Sequence, residues 1–206
     1  HTLVMNHWRE LLLAAVSPLE FGVRNLDVSG YRPPGEEEFR PARTAAVLVP
    51  LLDLPAPEIV LTRRADHLPQ HPGQVSFPGG AAEEGDYSAV QTALREAFEE
   101  IGLPPAAAKP IGFLDRMDTI SDYRVLPVVA LVTPPVRWIP DQREVAEVFT
   151  VPLSVVLDIG RYESRIIKRH GREYTIYTLL WQDYTIWGAT AAMLMNLTSR
   201  MQTRHE

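Results

Sequence analysis

The sequence contains no cysteine, which excludes disulfide bonds and thiolate metal sites. No apolar run approaches the roughly 18 residues that suggest a membrane-spanning helix. Basic residues number 20 against 26 acidic ones, so no global positive field attracts nucleic acid. We therefore expect a cytoplasmic protein of ordinary soluble composition, with neither a nucleic-acid partner nor a membrane partner.

Apolar segments separated by turn-rich ones predict one mixed α/β domain over residues 5–206. Residues 1–4 are interpreted as an expression remnant. A short helix is expected at Asn6–Val16, capped by its first residue, because asparagine is a favoured N-cap. The Pro- and Gly-rich segment Ser17–Pro41 is expected to be a surface excursion.

The first long strand is predicted at Thr44–Leu54, whose near-continuous apolar character suits burial on both faces. Pro50 within it indicates an edge position or a bulge, because proline cannot donate to the ladder. Further strands are expected at Glu58–Arg63, Gln74–Phe77, Ile111–Thr119, Tyr123–Val132, Ser164–Lys168 and Glu173–Leu180. Helices are expected at Val151–Leu157 and, closing the chain, at Tyr184–Met201.

The most informative stretch is Phe77–Leu103, in which a Pro-Gly-Gly turn precedes a polar run and a helical pattern. Ser88 has the character of an N-cap, and Ala89–Ile101 repeats apolar residues at helical spacing. Gly102 is predicted to end the helix because glycine readily adopts the left-handed conformation. The glycines of the Pro-Gly-Gly turn allow the backbone of the turn to approach a ligand closely.

Three glutamates, Glu96, Glu99 and Glu100, lie within one turn of this helix. Their like charges repel unless a cation lies between them, and Mg²⁺ prefers oxygen ligands of this kind. The alternative is a solvated acidic face braced by Arg95, which stands four residues before Glu99. The Gly-Gly turn directly upstream favours the metal site.

Residues Arg95–Leu103 resemble the second half of the Nudix box, G-x5-E-x7-R-E-U-x-E-E-x-G-U, where U is apolar. The first half departs from it, since the box Gly and Glu would fall on Ala81 and Tyr87. Gly80 and Asp86 keep the six-residue step, with one residue inserted before Arg95 and Asp in place of Glu.

With this variant of the box, the chain resembles the coenzyme A pyrophosphatase branch of that family. The upstream signature of that branch is L-L-T-x-R-[SA]-x3-R-x3-G-x3-F-P-G-G. This chain has Val60–Ala65, Gly73 and Phe77–Gly80 in register with that signature. It differs mildly at Val60 and more at Pro69, where the signature has Arg. The chain therefore lacks one phosphate or adenosine contact of that branch.

The resemblance implies the Nudix fold, a mixed β-sheet sandwiched between helices, and Mg²⁺ as cofactor, with Mn²⁺ as a substitute. It assigns Glu96 and Glu100 as metal ligands, with Glu99 beside them and the Gly79 carbonyl completing the inner shell. Arg95 is expected to hold Glu99 in place.

The general base differs among Nudix enzymes, so several carboxylates are candidates. It is either a box glutamate, Glu99 or Glu100, or a carboxylate on a later loop, where Glu144 and Glu147 lie. Alternatively, Glu144 and Glu147 only favour the N-terminal dipole of the next helix.

For the substrate, Arg64 is the preferred phosphate contact, because the signature marks it and the guanidinium fork suits phosphate. Arg63, His71 and Gly80 are further candidates. Adjacent strand residues face opposite ways, so either arginine could point to solvent instead. Trp187 is interpreted as a core residue of the last helix.

The implied function is Mg²⁺-dependent hydrolysis of the diphosphate bridge of a small-molecule substrate, coenzyme A or its thioesters or oxidised forms. The products would be 4′-phosphopantetheine and adenosine 3′,5′-bisphosphate. One alternative is a Nudix pyrophosphatase for another nucleoside diphosphate derivative, such as ADP-ribose or NADH. Two others are a non-catalytic Nudix-fold binding module and an acidic helix that only mimics the box.

Overall fold

The structure, a computed structural model, describes residues 5–20, 43–118, 123–169 and 171–202. Its helices are α1 (Trp8–Ala15), α2 (Ala89–Ile101), α3 (Leu153–Val156) and α4 (Gly188–Gln202). Its strands are β1 (Arg43–Leu52), β2 (Glu58–Arg64), β3 (Val75–Ser76), β4 (Gly79–Ala81), β5 (Ala108–Phe113), β6 (Met117–Asp118), β7 (Tyr123–Val132), β8 (Val145–Pro152), β9 (Tyr162–Arg169), β10 (Arg172–Trp181) and β11 (Tyr184–Trp187). None of the helices in these ranges is long and apolar enough to span a membrane.

Strand β1 is the centre of the larger, mixed sheet, whose main path is β3-β2-β1-β7-β5. β1 and β7 run parallel from Arg43↔Tyr123 to Leu52↔Val132, whereas the other pairs in this sheet are antiparallel. β4, β6 and β8 join the sheet beside β1, β7 and β2. A smaller antiparallel sheet contains β11-β10-β9.

Both faces of the larger sheet are buried, as the unbroken apolar pattern of β1 predicts. On one face Val49 and Leu51 pack with residues of α1 and α4, such as Leu12 and Leu194. On the other face Leu48 packs with α2 through Ala93, Ala97 and Ile101. The predicted fold class, a mixed sheet sandwiched between helices, is confirmed.

The prediction that Pro50 marks an edge or a bulge is wrong, because Pro50 faces Ala130 of β7 in an unbroken register. Along its other side β1 pairs first with β4 and then with β2, and Pro50 falls between them. Backbone N–H directions alternate along a strand, and the Leu48 N–H points to this side, donating to the Pro78 carbonyl at 2.8 Å. The Pro50 nitrogen therefore points into the gap, where no ladder hydrogen bond is lost.

Two helix predictions also need correction. The N-cap of α1 is His7 rather than Asn6, and it makes no side-chain capping bond. The last helix begins at Gly188, because Tyr184–Trp187 forms a strand paired with β10. Trp187 is consequently not a core residue of a helix but a strand residue that is 43% exposed. Most of Ser17–Pro41, Ser121–Asp122 and His170 lie outside the described residues.

Candidate active site

Helix α2 forms where the sequence predicts it, at Ala89–Ile101. The Ser88 hydroxyl accepts a hydrogen bond from the Gln91 N–H at 3.1 Å, and Gly102 ends the helix with φ of 69°. The apolar face of α2 is buried against the larger sheet, so its glutamates are presented beside strand β4.

The two glycines of β4 allow this close approach. A Cβ on Gly79 would lie 2.5 Å from the Ala46 carbonyl oxygen, and one on Gly80 would lie 2.6 Å from Glu96 Oε1. The backbone of β1 therefore requires glycine at Gly79, whereas a side chain at Gly80 would displace the carboxylate of Glu96.

The principal partner of Arg95 is Asp86, not Glu99 as expected. Arg95 Nε and Nη2 donate to the two Asp86 oxygens at 3.1 and 2.9 Å, whereas the bond to Glu99 is 3.3 Å long. The Asp86 side chain is only 6% exposed and also accepts from the Thr92 hydroxyl and the Glu83 N–H. Hydrogen bonding to Arg95 lowers the pKa of Asp86 to about 2. Asp86, the displaced counterpart of the box Glu, thus fixes the loop before α2.

Glu100 is the most perturbed carboxylate of the helix. Burial, together with the nearby charges of Glu96 and Glu144, raises its pKa to about 8. Two smaller effects lower the pKa of Glu100: the Gly79 N–H donates a hydrogen bond to its carboxylate, and the charge of Arg64 lies nearby. Burial also raises the pKa of Glu96, although Arg95 Nη1 donates to it at 3.1 Å.

Glu144 reaches this site because its loop is tied to the end of α2. The Asp141 N–H donates to the Glu100 carbonyl at 2.8 Å, and the Ile139 N–H donates to the Ile101 carbonyl at 2.9 Å. These bonds satisfy carbonyls that a helix end leaves without partners. The Glu144 carbonyl in turn accepts from the Ala65 N–H at 2.9 Å, which places Glu144 next to Arg64.

Arg63 and Arg64 point in opposite directions, as expected for neighbours on a strand. Arg64 faces the site and donates through Nη2 to the Gln70 carbonyl at 3.1 Å, while its buried Nε has no hydrogen-bond partner among the residues that the structure describes. Within the described ranges no carboxylate lies at ion-pair distance from Arg64. Arg63 instead donates to Glu147 at 3.2 Å and to Asp66 at 3.0 Å.

Glu147 lies away from the site, because a bulge interrupts the pairing of β2 with β8. Arg63 faces Glu147 and Arg64 faces Val145, so Ala146 is the extra residue. Residues two apart on a strand normally share a face. The bulge instead places Val145 on the face of Arg64 and Glu147 on the face of Arg63. Glu147 is therefore a strand residue bound to Arg63, not a loop residue near α2. Neither Glu144 nor Glu147 lies at the start of α3, so the helix-dipole alternative is wrong.

A cavity of about 180 Å³ is lined by Arg64, Glu100 and Glu144 together. It contains several predicted site residues and several that sequence reasoning missed, and it is lined by Thr62, Arg64, His71, Gln74, Ser76, Phe77, Gly79, Glu100, Glu144 and Val145. We refer to it as the phosphate cavity because it is lined by Arg64, the expected phosphate contact, which has no carboxylate partner among the described residues. His71, with a positive φ of 52°, stands at its rim and also lines a second cavity. Glu99, with a side chain 54% exposed, does not line it.

The donor set suits a hard divalent cation, since buried carboxylates whose charges repel one another gain from a cation between them. Besides burial, the charges of Glu96 and Glu144 raise the pKa of Glu100, and those of Glu99 and Glu144 raise the pKa of Glu96, so these carboxylates interact. Across the described residues, no three His, Asp or Glu side chains converge as a ready-made metal site. Glu99 and Glu96 instead engage Arg95, so a bound ion would compete with that arginine for them.

Comparison with known proteins decides the family. The NUDIX domain model matches residues 42–170. The chain belongs to the Nudix family. Proteins named uncharacterized Nudix hydrolase NudL are 40% identical to it: the one from Enterobacter sp. (strain 638) over 166 residues, 81% of this chain and 86% of that protein, and the one from Pectobacterium atrosepticum over 172 residues, 84% and 90%.

Among solved structures, the MutT protein from Methanosarcina mazei Go1 superposes with a TM-score of 0.51 over 80% of this chain and 95% of that one. At 14% identity this likeness supports the fold alone. Nudix hydrolases act on nucleoside diphosphate derivatives and generally use divalent metal ions. This Nudix chain is accordingly a hydrolase of phosphoric anhydrides.

Proposed function

We propose that this Nudix hydrolase cleaves the diphosphate bridge of coenzyme A, or of its thioesters or oxidised forms. Water would be consumed, and the products would be 4′-phosphopantetheine and adenosine 3′,5′-bisphosphate. The observation that carries the proposal is the position of Arg64. This residue of the upstream signature shares the phosphate cavity with Glu100 of the box helix, and its buried Nε has no partner within the described part of the chain.

The residues that would hold the metal are Glu96, Glu99 and Glu100 with the Gly79 carbonyl. Mg²⁺, or Mn²⁺ in its place, would neutralise the charge of the diphosphate oxygens and orient the attacking water. The carboxylates of α2 are presented rigidly, because its apolar face is packed against the sheet and its last carbonyls are hydrogen-bonded.

The chain's own groups divide the remaining work. Arg64 would donate to phosphate oxygens, and its unpaired Nε is suited to this because a buried donor without an acceptor is costly. Glu144 would accept the proton of the attacking water, since it is the later-loop carboxylate that lines the same cavity as Glu100. The bulge that directs Glu147 towards Arg63 argues against Glu147 in that role.

Product analysis tests the proposal. The protein is incubated with Mg²⁺ and, separately, coenzyme A, dephospho-coenzyme A, ADP-ribose and NADH, and the Glu100→Gln variant serves as a blank. We expect adenosine 3′,5′-bisphosphate from coenzyme A at the highest kcat/KM of the four. A higher kcat/KM for ADP-ribose or NADH would refute coenzyme A as the substrate and leave the Nudix chemistry in place.

One observation favours a second candidate, another nucleoside diphosphate derivative. Pro69 stands where the coenzyme A signature has Arg, and Pro69 is exposed. The loop from Asp66 to Gly73 therefore supplies one cation fewer than the signature does. Substrates without the 3′-phosphate of coenzyme A, such as ADP-ribose and NADH, need that cation less.

A further inference from the structure

A second cavity of about 340 Å³ adjoins the phosphate cavity. His71 and Gln74 line both cavities, so the two are neighbours across this pair of residues. The remaining lining comes from Arg63, Pro72, Gly73, Val75, Asp183, Tyr184, Thr185 and Trp187. Strand β11, which provides Tyr184 to Trp187, lies outside the residues that the NUDIX model matches. This half of the cavity is thus not part of the matched domain.

Trp187 is the residue in this cavity that packing does not explain. Along β11 the side chains alternate, so Ile186 is fully buried while Thr185 and Trp187 face the other way. The indole is 43% exposed, and it stands beside the cavity. A large aromatic surface left open at the edge of a cavity is typical of a binding site.

The charges of the two cavities differ. Arg63, the cation of the second cavity, is neutralised by Glu147 and Asp66, and Asp183 adds a further negative charge. Arg64, the cation of the phosphate cavity, has no such partner in the described part of the chain. Arg64 is therefore available to donate to a phosphate group in the phosphate cavity, whereas the paired arginine and Asp183 of the second cavity favour an uncharged group there.

The wall that carries Trp187 is held in place on two sides. Tyr184 stacks on Phe149 of β8 with ring centroids 3.6 Å apart. Directly after Trp187 the chain turns into α4, where the buried Thr190 hydroxyl donates to the Val75 carbonyl at 3.0 Å. Val75 belongs to β3 and also lines the second cavity. The strand that carries Trp187 is thus preorganised on both sides of this residue.

We propose that the second cavity is the nucleoside subsite of this enzyme, in which the adenine base of the substrate stacks on the indole of Trp187 while the phosphates lie beside Arg64. Gln74, Thr185 and Asp183 provide hydrogen-bonding groups at the cavity wall for the edge of the base and for the ribose. The assignment rests on the proposed function, because it takes an adenine nucleotide to be one half of the substrate. The pantetheine half is the competing occupant, but it offers no planar ring to stack on an indole.

Two ligands that differ by the base alone test the subsite without any hydrolysis. Binding of AMP and of ribose 5-phosphate is measured by calorimetry in the presence of Mg²⁺, with 4′-phosphopantetheine as a third ligand. The proteins are the wild type, Trp187→Ala, Trp187→Leu and Trp187→Phe. Tyr174→Ala is the matched control, because Tyr174 lies in the same small sheet, is 47% exposed and lines neither cavity.

We expect Trp187→Ala and Trp187→Leu to weaken AMP binding about tenfold, since stacking on an aromatic side chain contributes this much per base. Trp187→Phe and Tyr174→Ala should stay close to the wild type, and ribose 5-phosphate should be insensitive to all four substitutions. Trp187→Leu keeps an apolar side chain and separates loss of stacking from loss of folding.

Three results would overturn the subsite. They are a wild type that binds AMP no more tightly than ribose 5-phosphate, AMP binding that Trp187→Ala and Trp187→Leu leave unchanged, and a loss confined to 4′-phosphopantetheine. The proposed function fails separately, by the absence of adenosine 3′,5′-bisphosphate among the products from coenzyme A. A base-dependent effect of Trp187 together with cleavage of ADP-ribose would keep the subsite and replace the substrate.

Discussion

Asp86 and Arg95 are nine residues apart and bind each other at two points, Nε to Oδ1 at 3.1 Å and Nη2 to Oδ2 at 2.9 Å. Arg95 also donates to the Ala81 carbonyl at 3.2 Å. The Arg95 guanidinium therefore connects strand β4, the loop that carries Asp86, and helix α2. The geometry of the candidate metal site depends on this contact, because Glu96 follows Arg95 directly.

This ion pair predicts a specific loss of stability in acid. The pKa of Asp86 is about 2 in the folded protein and about 3.9 for an aspartate in an unfolded chain. The stabilisation is therefore complete above pH 4 and is lost as the pH falls towards 2. Asp86→Asn should lower the free energy of unfolding by about 2 kcal/mol at pH 7, with a smaller difference from wild type at pH 2.

Urea unfolding of both proteins between pH 2 and pH 7 measures this difference. Asp66→Asn is the control, because Asp66 also pairs with an arginine but its side chain is 79% exposed. A gap between wild type and Asp86→Asn that does not narrow in acid would show that the ionised pair is not the source of the stability.

The box helix could be predicted to the residue because its signals are local. Ser88, the apolar repeat and Gly102 act within a few residues of one another. The partner of Arg95 could not be ranked in the same way. Helical spacing favours Glu99, but the loop folds back and brings Asp86 to the guanidinium with two oxygens.

Features that depend on pairing between residues far apart in the chain could not be predicted from the sequence. The bulge at Ala146 depends on how β8 docks on β2, and it directs Glu147 towards Arg63 and out of the site. Glu144 is held in the site by the hydrogen bonds that tie its loop to α2 and to Ala65. Trp187 likewise follows a helical pattern in sequence, yet pairing with Thr178 of β10 makes it a strand residue. Tertiary pairing overrides local propensity in both cases.

The adjacent arginines should have different effects on activity. Arg64→Ala should raise KM about tenfold or more for both coenzyme A and dephospho-coenzyme A, because Arg64 lines the cavity proposed for the reacting phosphates and a charge-assisted hydrogen bond would be lost. Arg63→Ala should raise KM less, because the Arg63 guanidinium is already paired with Glu147 and Asp66 where it lines the second cavity, and it should lower stability through loss of the bond to Glu147.

Steady-state kinetics on the two substrates check this prediction. A KM increase confined to coenzyme A would assign Arg64 to the 3′-phosphate instead. Equal effects of the two arginine variants would contradict the opposite orientations of their side chains.

The neighbouring glycines of β4 should separate the fold from the site. A methyl group on Gly79 would meet the backbone of β1 at 2.5 Å, so Gly79→Ala should destabilise the protein by about 1–3 kcal/mol. A methyl group on Gly80 meets only the flexible carboxylate of Glu96, at 2.6 Å. Gly80→Ala should therefore melt within a few degrees of the wild type and lose about tenfold or more in kcat, because it displaces the proposed metal ligand Glu96.

Thermal melts and kcat measured on the same preparations test both variants. Full activity in Gly80→Ala would mean that the position of Glu96 does not matter for turnover. A Gly79→Ala protein with unchanged melting temperature would contradict the contact with Ala46.

Glu100 gives the most direct test of the metal site, because its two candidate roles predict opposite results. As a ligand, Glu100→Gln should lower kcat by about a hundredfold or more and abolish the rise in melting temperature that Mg²⁺ gives the wild type. As a residue of a solvated acidic face, it should tolerate the change.

Without metal at pH 9, above its pKa of about 8, the wild-type Glu100 carboxylate is charged and repelled by Glu96 and Glu144. Burial also disfavours that charge, so the Gln variant should then melt no lower than the wild type. Melting curves with and without Mg²⁺ at pH 9 separate these roles, with Glu163→Gln as control, because Glu163 is exposed and lies in β9 of the smaller sheet. An Mg²⁺-dependent shift that survives in Glu100→Gln would place the ion elsewhere.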